Sequence, residues 1–152
     1  MKRYLFPISI ALFLLNATIT QQSSAQEITA TSTPSVEFIS VDELKSKLSA
    51  NAPVTIIDVR ASDGYADSSE KIKGAIHIKV RRLRSRLALP PLKDVPRDRE
   101  VVTYCACPSE ESSIEAAKIL LMSGFKNVRA LKGGWQSWLR ANGPVESKPR
   151  GM

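Results

Sequence analysis

Cys105 and Cys107 are the only cysteines of the 152-residue chain, and one alanine separates them. An ionised thiol is among the strongest side-chain nucleophiles near neutral pH. A close pair therefore points to covalent sulfur chemistry, to reversible disulfide exchange, or to a soft-metal site such as one for Cu(I). A stapling role is the weaker reading: a bridge across Cys-Ala-Cys closes a tiny, strained loop and removes little chain entropy.

The flanking residues say where the pair sits. Val101 to Tyr104 are β-branched or aromatic, as a buried strand requires. From Ile114 the spacing turns helical, with Ile114, Ala117, Leu120 and Leu121 on one face. Ser112 followed by Glu115 is a capping-box signature, which predicts a helix start near Ser113. The cysteines thus fall between the C-terminal end of a strand and the N-terminus of a helix. In open α/β sheets ligands bind at that edge, and the free N–H groups and dipole of a helix start favour thiolates and anions.

The elements that must position this loop follow in order. Val36 to Ile39 reads as a short strand. Ser40 and Glu43 form a capping box for a helix with Val41, Leu44 and Leu48 on one face, ended by Asn51-Ala52-Pro53. Val54 to Val59 is the apolar run of a parallel strand buried on both faces. Asp63 to Lys73 reads as irregular or a short helix, and Gly74 to Ile78 as a short strand. Lys79 to Leu89 carries Val80, Leu83 and Leu87 at helical spacing among Arg81, Arg82, Arg84 and Arg86. Pro90, Pro91 and Pro96 mark a loop. Gly124 is placed to end the helix after the cysteines, Val128 to Leu131 is a further strand, and Trp135 to Asn142 a last helix. Strands alternating with helices predict an α/β fold, a mostly parallel sheet with helices on both faces.

Length allows one domain with a proper core. Lys2 and Arg3 precede an apolar run from Leu5 to Leu15 and then Ser23-Ser24-Ala25, the three-part pattern of a signal peptide over residues 1–25. The run is too short for a bilayer span and Pro7 interrupts it, so no stable membrane span is expected after cleavage. Export would place the mature chain in the periplasm or outside the cell, and removing Lys2 and Arg3 lowers the formal charge from +7 to +5. Residues 26–35, rich in Thr, Ser and Ala, read as a disordered linker. Residues 36–147 form the domain and 148–152 a flexible tail. The moderate charge gives no support for nucleic-acid binding.

Four motifs together resemble the rhodanese-like domain: Ile57-Asp58-Val59-Arg60, Gly74-Ala75-Ile76-His77-Ile78, the strand–cysteine–loop–helix, and Leu131-Lys132-Gly133-Gly134-Trp135-Gln136-Ser137-Trp138. Their order and spacing fit that family from about Val36 to Glu146. The resemblance implies the rhodanese-like fold, with about five parallel strands, and a single-domain sulfurtransferase. Its cysteine would carry a persulfide sulfur from a small donor to a thiol or protein acceptor, with no cofactor or metal. It further implies that Asp58 and Arg60 form a structural pair beside the active loop, that Trp135 packs near it, and that His77 serves the core. The active-loop backbone would comprise Ala106, Pro108, Ser109, Glu110, Glu111 and Ser112. The chain is expected to be a monomer.

The loop departs from the family pattern. Spacing counted back from Ser113 reaches Cys107, whereas the aromatic-then-cysteine strand ending falls on Cys105. Placement at the strand end favours Cys105, with Cys107 as second candidate or resolving thiol. The family's cation before Ser113 is replaced by Ser112, and Glu110 and Glu111 add negative charge, which predicts weaker binding of anions such as thiosulfate. The run Arg81, Arg82, Arg84 and Arg86 reads as a solvated face that could also supply a compensating charge. Three functions follow: a sulfurtransferase, a thiol–disulfide redox protein using the Cys-Ala-Cys pair, or a catalytically inactive binding or regulatory module.

Overall fold

The computed structural model describes residues 34–148. The expected signal segment and nearly all of the expected linker lie outside them, as does the tail beyond Lys148. Five strands form the central sheet: β1 (Glu37–Ile39), β2 (Val54–Asp58), β4 (Ile76–His77), β5 (Glu100–Tyr104) and β6 (Asn127–Leu131). Their order is β1-β6-β5-β2-β4, and every pairing is parallel. The strand ahead of the cysteines is therefore the middle one.

Residues alternate across each strand, so one sheet feeds two cores. Ile57, Val101 and Cys105 pack with Leu83 of α3 (Val80–Arg86) and with Ala116, Ala117 and Leu120 of α4 (Glu111–Met122). On the other face, Ile56, Val102 and Tyr104 meet Leu44 of α1 (Val41–Ser49) and Trp135 and Trp138 of α5 (Gly134–Arg140). The expected layers, helices on both faces of a five-stranded parallel sheet, are what the chain adopts.

Local chemistry sets most of the boundaries. Ser40 caps α1 as expected, its hydroxyl accepting from the Glu43 N–H at 3.1 Å. Gly124, at φ +90°, ends α4 with the Gly124 N–H on the Leu121 carbonyl and the Phe125 N–H on the Leu120 carbonyl, the pair of bonds that defines a Schellman stop. Residues 63–73 divide into a short helix α2 (Ser62–Ala66) and a strand β3 (Glu70–Ile72). The latter pairs antiparallel with β7 (Val145–Ser147) in a separate two-stranded ribbon. No strand is expected at 145–147 from sequence, because three residues carry too little alternation to read.

The start of α4 differs from expectation. It begins at Glu111, not near Ser113, and the Ser112–Glu115 box does not form. Glu110 takes the left-handed conformation (φ 52°, ψ 15°) and hands the chain directly into the helix. Ser113 is left buried in the first turn, with its hydroxyl donating to the Glu110 carbonyl at 2.8 Å.

Candidate active site

Both cysteines sit where β5 ends and the chain turns toward α4. The Cys105 and Cys107 sulfurs are within bonding contact as a disulfide, and their Cα atoms are 5.7 Å apart, an ordinary cystine separation. The two are not equivalent. Cys105 is only 2% exposed and belongs to the core, whereas Cys107 is half-buried at the rim of the loop. The Cys105 Sγ is 3.8 Å from the Ser113 hydroxyl oxygen. The chain then reverses in a turn from Cys107 to Glu110, with Pro108 second in it and the Glu110 N–H donating to the Cys107 carbonyl at 3.3 Å.

This arrangement leaves main-chain donors unused. Among the described residues, the N–H groups of Ala106, Cys107, Ser109, Glu111, Ser112 and Ser113 have no protein acceptor. Glu111, Ser112 and Ser113 contribute theirs because the first turn of any α-helix lacks partners. They also stand at the positive end of the α4 dipole, which favours an anion.

Two ties fix the loop to the Gly133-Gly134 turn that opens α5. The Trp135 N–H donates to the Cys105 carbonyl at 2.8 Å, and the Gly133 N–H donates to the Glu110 carboxylate at 2.7 Å. Glu110, which by sequence is an unhelpful negative charge, is thus a clamp between α4 and α5. Gly134 has φ +50°, and a Cβ built there would overlap the Cys105 carbonyl oxygen, so glycine is required on two counts.

Beneath the loop lies a buried charged network. Asp58 and Arg60 are both inaccessible. The guanidinium Nε and Nη2 donate to Asp58, with Nη2 to Oδ2 at 2.7 Å, and Nη2 also reaches the Glu70 carbonyl at 2.9 Å. The Arg60 N–H donates to Asp58 Oδ1 at 3.0 Å, and the Tyr104 hydroxyl to Oδ2 at 2.7 Å. Burial alone would push Asp58 up, but the hydrogen bonds from Arg60 and Tyr104 and the Arg60 charge outweigh it and hold the carboxyl below its ordinary value of 3.8. Burial and the nearby Asp58 charge raise Tyr104 well above its ordinary value, so it stays a donor. The Arg60 guanidinium carbon also lies 4.3 Å from the Trp135 ring centre and 5.1 Å from that of Tyr65. Trp135 is tied to the loop through its backbone N–H on the Cys105 carbonyl, and the Asp58–Arg60 pair makes no hydrogen bond to either sulfur among the described residues.

His77, on β4, stacks on Tyr65 with ring centres 3.6 Å apart, and its Nδ1 lies 3.8 Å from Asp58 Oδ1, too far for a hydrogen bond. Arg81, Arg82, Arg84 and Arg86 are all exposed on α3, and none forms an ion pair among the described residues, as expected of a solvated face. Sequence reasoning missed Tyr104, Tyr65 and Gly134. The aromatic-before-cysteine position was the one available signal for Tyr104. A cavity of about 420 Å³ opens beside the loop, bordered by Gly64, Asp67, Ser68, Ala106, Trp135 and Leu139. Among the described residues, no helix is long and apolar enough to cross a membrane.

Comparison with known proteins agrees with this fold. The family model described as Rhodanese-like domain matches residues 40–141. A sulfurtransferase of Allochromatium vinosum is 27% identical over 110 residues, covering 72% of this chain and 94% of that protein. The thiosulfate sulfurtransferase GlpE of Coxiella burnetii is 29% identical over 85 residues, covering 56% and 71%. Among solved structures, the rhodanese-like domain of the Alr3790 protein from Anabaena sp. is 28% identical with a TM-score of 0.60, covering 78% of this chain and 88% of that one. From the match over most of its described length, the chain belongs to the rhodanese-like domain family.

Proposed function

We propose that the protein is an exported sulfurtransferase that moves sulfane sulfur through a cysteine persulfide at the Cys105–Cys107 loop. The observation that carries this reading is the coincidence of two sulfurs with a set of unengaged main-chain N–H groups at the start of α4. That the Coxiella burnetii relative is a thiosulfate sulfurtransferase supports thiosulfate as a donor. The leader pattern of residues 1–25 supports export to the periplasm or beyond.

The chemistry runs in two displacements. A cysteine thiolate attacks the outer sulfur of thiosulfate, a sulfur–sulfur bond forms, the original one breaks, and sulfite leaves. The new terminal sulfur is anionic. In the family the loop amides and a cation stabilise it; here Ser112 occupies the cation's place, so amides and dipole act alone. An acceptor thiolate then takes that sulfur and the cysteine thiolate is restored. Trp135 and the Asp58–Arg60 pair hold the loop in place without reacting.

The bonded pair favours a second reading, thiol–disulfide exchange, in which the protein shuttles electrons without carrying sulfur. Sulfite release separates the two. Fully reduced protein mixed with thiosulfate is expected to give one sulfite per chain, and Cys105→Ser/Cys107→Ser to give none. Equal sulfite from both proteins would overturn the proposal.

A further inference from the structure

Because the two sulfurs touch and only one is accessible, we infer that sulfane sulfur is taken up by Cys107 and expelled as hydrosulfide by Cys105, which makes the loop a self-resolving thiosulfate-reducing site. The inference rests on the sulfurtransferase reading above and adds a division of labour and a product. A donor must approach the attacked sulfur in line with the bond that breaks, so the attacking thiolate has to face solvent. Cys107, half-buried at the rim, meets that demand, while Cys105, 2% exposed and packed in the core, does not. Cys107 also opens the turn that leads into α4.

Cys105 is then placed for a second step. Its sulfur contacts that of Cys107 across a Cα–Cα distance of 5.7 Å, so it can reach the inner sulfur of a Cys107 persulfide without a change of fold. The Cys105 thiolate attacks Cys107 Sγ, the Cys105–Cys107 bond forms, and the bond to the carried sulfur breaks. That sulfur leaves as hydrosulfide with the proton given up by the Cys105 thiol. Across both steps the dithiol and thiosulfate become the disulfide, sulfite, hydrosulfide and one proton. The two electrons that reduce the sulfane sulfur come from the two thiols. Return to the dithiol requires an external dithiol reductant, such as a thioredoxin-like protein, for which dithiothreitol can stand in. Burial protects Cys105 from the donor, and the half-buried Cys107 is the sulfur of the disulfide that a reductant can reach.

The test uses reduced wild type, Cys105→Ser and Cys107→Ser proteins, each mixed with thiosulfate and followed by intact mass and by hydrosulfide and sulfite release. Wild type is expected to release both products in equal amounts and to finish as the disulfide, two hydrogens lighter with no added sulfur. Cys105→Ser is expected to release sulfite only and to keep one sulfur atom of added mass. Cys107→Ser is expected to remain unloaded. A stable sulfur adduct on wild type without hydrosulfide would overturn the inference and leave sulfur transfer standing. Retention on Cys107→Ser in place of Cys105→Ser would overturn the division of labour. Failure of every variant to release sulfite would instead remove the underlying reading. Circular dichroism on each variant establishes that a lost adduct is not lost folding.

Discussion

Gly134→Ala tests how tightly the cysteine loop depends on the turn across from it. Gly134 and Gly74 both hold positive φ, +50° and +77°, so alanine at either site carries the left-handed penalty of about 1–2 kcal/mol. They differ in their surroundings. A Cβ on Gly74 meets nothing within 4 Å, whereas one on Gly134 overlaps the Cys105 carbonyl oxygen. Relieving that overlap means parting α5 from the end of β5. It breaks the 2.8 Å bond from the Trp135 N–H, a loss of about 0.5–1.5 kcal/mol. It also disturbs a packed core, at a further cost of about 1–3 kcal/mol. Gly134→Ala should therefore be less stable than Gly74→Ala by roughly 2–4 kcal/mol. With a typical urea dependence, that lowers the midpoint by about 1–2 M. Displacing the loop by about an ångström should also slow sulfite release on the order of 100-fold, while Gly74→Ala keeps the wild-type rate. Urea titration and a sulfite assay on the two variants suffice. Equal midpoints and equal rates would refute the argument that the Gly134 approach holds the loop.

Other expectations concern the buried network and the missing cation. Asp58→Asn leaves the Arg60 guanidinium buried without its countercharge and should cost about 3–5 kcal/mol in chemical denaturation. Asp58 is depressed below 3.8 in the folded protein, so its stabilisation is fully present above that value and is lost as pH falls through the lower folded value. Acid unfolding monitored by fluorescence should accordingly show a shallower low-pH limb in Asp58→Asn; an unchanged limb would remove Asp58 from the account. Tyr104→Phe takes a donor from Asp58 and an acceptor from the Ile72 N–H, and a loss of about 1–3 kcal/mol should appear in the same urea titration. Ser112→Arg places a cation in the first turn of α4. It should add about 1 kcal/mol of attraction for thiosulfate, roughly fivefold in the loading rate at low salt, with the gain fading as salt rises.

Much of the architecture was legible because it follows from periodicity. The apolar run at Val54–Val59 and the helical spacing after Ile114 define a parallel sheet between helices, and Ser40 and Gly124 announce their caps by type. What escaped depends on contacts distant in sequence. Ser112–Glu115 has the form of a capping box, yet the chain enters α4 through left-handed Glu110, whose carboxylate is held by Gly133, 23 residues away. The ribbon of β3 and β7 has three residues a side and shows no alternation long enough to detect. The placement of Asp58 and Arg60 was legible only through the four-motif pattern. That Tyr104 completes their network depends on the pairing of β2 with β5, where Asp58 and Tyr104 are register partners. The two cysteines were legible as a close pair at the end of a strand. Their unequal exposure was not, because it arises from how α4 covers the end of β5.

The central claim is that main-chain amides around the start of α4 hold an anionic sulfur. Amide NMR of Cys105→Ser before and after sulfur loading tests it most directly. The account predicts downfield proton shifts concentrated on Ala106, Cys107, Ser109, Glu111, Ser112 and Ser113, reversed when an acceptor thiol removes the sulfur. A loaded protein whose loop amides do not move would contradict it.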